Sequence, residues 1–159
     1  VKKYNFEFRV IGPILSREIK KYINRSYIKY LGGMNKKEIS RQLHQTDILI
    51  HCQLNPACPN SVIEAISCGV PVVGFDTGAM KEVLYFCPEL LAYVSDDIFQ
   101  RYKDFDYERL AEKIELCLGN YELYKKIFYD NSNLYDNNKT CGEYLEVFDM
   151  VRTKNDRMA

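Results

Sequence analysis

The chain has 159 residues, 47% hydrophobic and 28% charged, and its 22 Lys/Arg are matched by 22 Asp/Glu. This is the make-up of one soluble globular domain with a sizeable core, and no nucleic-acid partner is expected. No apolar run nears the ~20 residues that span a bilayer, and no basic-then-apolar leader opens the chain, so a cytoplasmic setting is expected.

The chain opens on Val1, already inside a strand approach, and so reads as a piece of something longer. "FEFRVIG" (6–12) is a predicted strand ending at Gly12-Pro13, and "SREIKKYI" (16–23) a helix with Ile19 and Ile23 on one face. "YIKYLGG" (27–33) is a second strand, closed by Gly32-Gly33. "NKKEISRQLHQ" (35–45) is a helix with Asn35 as N-cap and Glu38 three positions on, a capping arrangement. A third strand, "DILIHCQ" (47–53), leads through a Pro-broken loop into a short helix, "NSVIEAISC" (60–68). "VPVVGF" (70–75) is a fourth strand, "GAMKEVLYF" (78–86) a helix and "LLAYV" (90–94) a fifth strand. Beyond Asp104 the pattern is wholly helical: 106–119, 121–135 and 140–152, with a polar, frayed tail over 153–159.

Strands alternating with helices at this spacing predict βαβ units: an α/β, Rossmann-like parallel sheet with helices on both faces and an all-helical C-terminal part. Residues 1–152 form this one domain. Ligands of such sheets sit beyond the carboxyl ends of the strands.

Charge is uneven along the chain. Residues 1–45 hold 11 Lys/Arg against three acids, and the remainder holds 11 against 19. The basic half reads either as an anion-binding or membrane-facing surface, or as the wet faces of amphipathic helices. The six cysteines contain no C-x-x-C pair, which favours reduced packing thiols over a metal site. His44 and His51 lie on different elements and read as structural.

The helix beginning near Asn60 offers free amides and the positive end of its dipole at a strand's carboxyl edge, a ready phosphate site. On a helical wheel Val62, Ile63 and Ile66 share one side, and Glu64 projects away from Val62 and Ile66. A carboxylate there can accept two hydrogen bonds from vicinal hydroxyls such as those of a ribose, or it can be a solvated first-turn glutamate. "GFDTGAMKEV" (74–83) is a Gly-containing turn facing the same cleft, with Glu82 placed to bond back to amides near Gly78, or an ordinary capped turn. No P-loop, G-x-G-x-x-G or G-x-S-x-G sequence is present, so nucleotide hydrolases, ordinary dinucleotide dehydrogenases and α/β-hydrolases lose ground.

"YLGGMNKKEISRQLHQTDILIHCQ" followed by "CPNSVIEAISCGVPVVGFDTGAMKEVL" resembles glycosyltransferase family 4, specifically the C-terminal, nucleotide-sugar-binding domain of its two-domain GT-B enzymes. The shared pattern includes P-N-x-V-x-E-A-x-x-C-G-x-P-V-V over 59–73, and the resemblance runs from about residue 6 to about residue 130. It implies a UDP-, GDP- or ADP-sugar donor, transfer with retention, and no cofactor or bound metal. Glu64 then matches the glutamate that holds the donor ribose. Asn60 and Ser61 match the helix start near the diphosphate, Gly33 and Met34 the loop against the nucleobase, and Gly78 and Ala79 the second small-residue loop. No catalytic residue is assigned.

The sequence departs from that family in three places. Pro56 stands where the family has a first glutamate by the donor sugar. The first strand of the domain, central in the fold and accompanied by a basic pair, should precede residue 1, as should a whole N-terminal domain that binds the glycan or lipid-linked acceptor. Loss of a central strand would leave backbone groups without partners. The expectation is a retaining, hexosyl-type glycosyltransferase donor domain in cell-surface glycan biosynthesis, inactive as an isolated chain and placed in the cytoplasm, including the inner face of the membrane. Its rivals are a non-catalytic nucleotide-sugar-binding or interaction module and a UDP-sugar epimerase of the same shape.

Overall fold

The computed structural model describes residues 5–14, 16–94 and 106–156. In chain order they form β1 (Phe8–Ile11), α1 (Arg17–Ile23), β2 (Ile28–Gly32), α2 (Lys36–Leu43), β3 (Leu49–His51), α3 (Asn60–Ser67), β4 (Val72–Phe75) and α4 (Met80–Val83). A 3-10 turn (Pro88–Leu90), β5 (Leu91–Ala92), α5 (Tyr107–Gly119), α6 (Tyr121–Asp130) and α7 (Asn137–Asp156) complete the order. The expected alternation of parallel strands and helices is present, with the helices flanking the strands.

Every strand pair is parallel. β1 pairs with β2, and separately the order is β3-β4-β5. β4 is the central strand of its sheet and is buried along its whole length, as the unbroken apolar run "VVGF" requires of a parallel strand covered on two faces. α3 and α5 both pack against it. From α3 come Val62, Ala65 and Ile66, an i, i+3, i+4 stripe that is fully buried, and from the helical end come Leu110, Cys117, Tyr124 and Phe128. The Phe128 ring meets Phe86 edge-on at 5.2 Å, which closes the core under α4.

The two-stranded sheet is a different environment. Phe8, Val10, Ile11 and Tyr30 are all more than a third exposed, unlike the residues of β4. Among the described residues β1 and β3 are not paired with one another, so each has an open edge. One polar link joins β1 to the stretch ahead of β3: the Arg9 guanidinium donates to the Gln45 carbonyl at 3.2 Å and to Gln42 Oε1 at 3.4 Å.

Several elements differ from the sequence expectation in length. α2 starts as expected, with Asn35 accepting the Glu38 amide and Glu38 reaching back to the Asn35 amide. The helix expected over 78–86 is one turn, 80–83, because Gly78 and Ala79 are fastened to the preceding loop. α6 stops at Asp130, where the Asn131 side chain donates back to the Ile127 carbonyl at 2.8 Å. α7 begins at Asn137 and runs to Asp156, past the end expected at 152. Its Tyr144, Leu145 and Phe148 are well exposed. No helix among the described residues is long and apolar enough to cross a membrane.

Candidate functional site

The carboxyl ends of β3 and β4 open into two loops, 52–59 and 76–79, and these loops are tied to each other. The Ala79 amide donates to the Pro56 carbonyl at 2.8 Å, and the Asn55 amide donates to Thr77 Oγ1 at 3.2 Å. Asn55 itself has φ 46, the left-handed region that asparagine tolerates best among residues with a Cβ. At Gly78, φ is +55 and an added Cβ would lie 2.6 Å from Pro56 N and O, so only glycine fits. Pro56 is fully buried between these fastenings.

α3 begins directly after this clasp. Pro59 is its N-cap residue and supplies no side-chain cap, so the first-turn amides are left to the backbone or to a ligand. The Asn60 amide is taken by the Cys58 carbonyl at 3.0 Å, and Asn60 Oδ1 accepts from the Cys58 thiol. Ser61, by contrast, is exposed, and its amide has no partner among the described residues. Of the two amides expected at the helix start, the one at 61 is therefore open.

Glu64 lies one turn on. It is half-buried, and it has no hydrogen-bond or ion-pair partner among the described residues. The next turn of α3 brings Cys68 beside Ser40 of α2. Cys68, four residues on from Glu64, feels both elements: burial and the Glu64 charge push its thiol up, against a hydrogen bond from Ser40 of α2. At the head of α2, Gly33 is exposed with nothing within 4 Å of the place a Cβ would take, and Met34 is half-buried. Glu82 is exposed and makes no hydrogen bond to the amides near Gly78; Thr77 and Pro56 hold that turn instead.

His51, read as structural from the sequence, sits inside this cluster. It ends β3 opposite Gly74 of β4 and is 6% exposed. Its Nδ1 lies 3.4 Å from Ser61 Oγ, and its Nε2 is buried with no partner among the described residues. Burial lowers its pKa, which keeps the ring neutral at neutral pH. The only sequence signal was its place as a polar residue at the carboxyl end of an apolar strand. Its partner ten residues on could not be read from spacing.

One feature lies elsewhere. A cleft of about 650 Å³ between α1 and β2 is lined by Ile14, Lys20, Ile23, Arg25, Ile28 and Tyr30. It opens beside the start of β2, whereas the expected site residues follow the carboxyl ends of β2, β3 and β4. Among the described residues no group of three His, Cys, Asp or Glu side chains could hold a metal ion.

A family model described as "Glycosyl transferases group 1" matches residues 1–120. Among solved structures, the chain is similar to that described as "Crystal structure of AviGT4, a glycosyltransferase involved in Avilamycin A biosynthesis", at TM-score 0.58 and 16% identity. The superposition covers 90% of this chain and 43% of that one, so the chain spans less than half of that protein's length. The likeness shows the fold, that of one half of a GT-B glycosyltransferase. No curated protein matches the sequence.

Proposed function

We infer a donor-binding role from one premise: the chain belongs to the glycosyl transferases group 1 family. Membership makes glycosyl transfer the class of reaction, with a sugar donor and an acceptor as substrates. Within that class we propose that this chain is the C-terminal, donor-binding half of a family 4 enzyme and holds the nucleoside diphosphate of a UDP-, GDP- or ADP-sugar. The observation that carries this reading is the start of α3. A helix N-terminus with an amide at Ser61 open among the described residues stands at the carboxyl edge of a parallel sheet, and Glu64, a carboxylate without a hydrogen-bond or ion-pair partner among them, stands one turn behind it.

The chemistry follows from those groups. The Ser61 amide and the α3 dipole stabilise the negative charge that grows on the departing diphosphate. Glu64, acceptor-only when ionised, takes hydrogen bonds from the two ribose hydroxyls. Gly33, with no side chain and open space around it, lets a flat base approach the backbone beside Met34. Gly78 and Ala79 act one step back in this reading: the Ala79 amide is spent on Pro56, and the pair sets the loop rather than touching phosphate. The open edges of β1 and β3 support a further parallel strand between them, contributed from outside the described residues. Retention at the anomeric carbon, a hexosyl donor, a lipid-linked acceptor in cell-surface glycan synthesis and work at the inner membrane face belong to this proposal.

A second reading rests on Pro56. At the place where family members carry a carboxylate near the donor sugar, this chain has a buried, uncharged wedge. That supports a module that binds nucleotide sugar without transferring it. Calorimetric titration of the full-length parent, in which this chain is joined to its acceptor-binding half, with UDP-, GDP- and ADP-sugars, run beside a transfer assay, separates the two. Binding with turnover supports the transferase, binding without turnover supports the module, and no binding of any nucleotide sugar defeats both.

A further inference from the structure

His51 and Ser61 form a buried-to-exposed pair at the first turn of α3. The histidine backbone is locked: a Cβ at Gly74 would meet the His51 carbonyl at 2.9 Å, so β3 and β4 pack there without room for a side chain. The ring is 6% exposed, so it has no freedom to swing out. One nitrogen reaches Ser61 Oγ, and the other reaches nothing among the described residues. Ser61, on the outer side of the pair, is exposed and has an open amide.

A neutral imidazole carries a single N–H, so the pair has two arrangements. In the first, Ser61 donates its proton to Nδ1; the ring proton then sits on Nε2, a buried donor with no acceptor among the described residues. In the second, Nδ1–H donates to Ser61 Oγ, Nε2 keeps only a lone pair, and the Ser61 hydroxyl proton is free to turn outward. Buried N–H donors are left unpaired more rarely than acceptors are, which selects the second arrangement. The outcome is a hydroxyl donor beside an amide donor, both on residue 61 at the positive end of α3, where an anion would be favoured.

We propose that His51 is a positioning residue that aims the Ser61 hydroxyl at a phosphate oxygen of the donor. This rests on the donor-site reading above. It makes residue 61 a two-point anion clamp, in which the amide is supplied by the fold and the hydroxyl is directed by the ring behind it. Burial keeps the ring neutral, so its role is orientation rather than charge.

The test uses the full chain, with UDP, GDP and their nucleosides as calorimetric probes. Ser61→Ala and His51→Leu should each weaken diphosphate binding by ~10-fold, the scale of a hydrogen bond to a charged group. The double variant should be no weaker than Ser61→Ala alone, because His51 acts only through Ser61. His51→Asn, whose amide sits near the place of Nδ1, should restore binding, and nucleoside affinity should be unchanged throughout. Diphosphate binding unaffected by His51→Leu, or a double variant showing the product of both losses, overturns the proposal while leaving the donor site standing. Wild-type protein that binds no nucleotide overturns the donor-site reading and the proposal with it. In the unliganded wild type, nitrogen-15 imidazole NMR should place the His51 proton on Nδ1. A proton on Nε2 overturns the assignment without recourse to any variant.

Discussion

The carbonyl of Pro56 accepts the amide of Ala79 at 2.8 Å, and with the Asn55 amide donating to Thr77 Oγ1 this bond joins the two loops that leave the carboxyl ends of β3 and β4. Gly78, with φ +55 and only 2.6 Å between its missing Cβ and the Pro56 backbone, makes that closeness possible. The opposed atoms are main chain, which cannot swing aside as the end of a long side chain could.

Gly78→Ala should therefore destabilise the fold by ~2 kcal/mol or more, from a strained φ together with a backbone clash. Gly33→Ala has nothing within 4 Å to strike, and should leave urea-induced unfolding unchanged within ~0.5 kcal/mol. Equal midpoints for both variants would show that the clasp between the loops is not rigid.

The contrast between these glycines marks how far the sequence could be read. The order of strands and helices followed from apolar periodicity, and the capping box at Asn35 and Glu38 followed from residue type and spacing. β4 was legible because a parallel strand buried on two faces has to be apolar throughout. The clasp was not legible, since Pro56 and Ala79 meet only after the strands set their loops side by side. It shortened α4 to 80–83 and took the Ala79 amide that the sequence reading assigned to the cleft. His51 was hidden for a similar reason: its partner, Ser61, is brought back to it by the 52–59 loop. α7 shows another limit: a helix was expected over 140–152, but its bounds, Asn137–Asp156, and the exposure of Tyr144, Leu145 and Phe148 were not read from the pattern.

Burial lowers the His51 pKa, and the sign of the consequence follows. The unfolded chain takes up a proton at about pH 6.5 while the folded chain resists it, so the stability from a neutral His51 is fully present above that pH. It is lost as pH falls. The stability difference between wild type and His51→Leu should accordingly shrink between pH 8 and pH 5 in chemical unfolding experiments. A difference that stays constant over this range would contradict a buried neutral ring.

Two core thiols behave in the opposite direction. Burial pushes Cys117 up to about 12 and raises Cys87 further still, with the Glu89 carboxylate adding to the latter. Their folded pKa values lie above the unfolded ones, so stability is complete below about pH 8.5 and declines as pH rises beyond it. Each thiol can contribute a loss of up to ~1.4 kcal/mol per pH unit in that window. At pH 8, iodoacetamide should label the exposed Cys52, Cys58 and Cys141 in the native protein, and Cys87 and Cys117 only after denaturation. Native labelling of Cys117 at a comparable rate would place it outside the core.

The role proposed for Glu64, half-buried and without a hydrogen-bond or ion-pair partner among the described residues, is to hold a ribose behind an anion at Ser61. Calorimetry of wild type and Glu64→Ala with a ribonucleoside diphosphate and its 2′,3′-dideoxy counterpart tests it most directly. Wild type should favour the ribonucleotide, and Glu64→Ala should lose ~1.5–3 kcal/mol of affinity for it together with the preference. Because Glu64 makes no hydrogen bond or ion pair among the described residues, the unfolding midpoint should stay where it was. Equal affinity for both nucleotides in the wild type, or an unchanged preference in Glu64→Ala, would contradict the account.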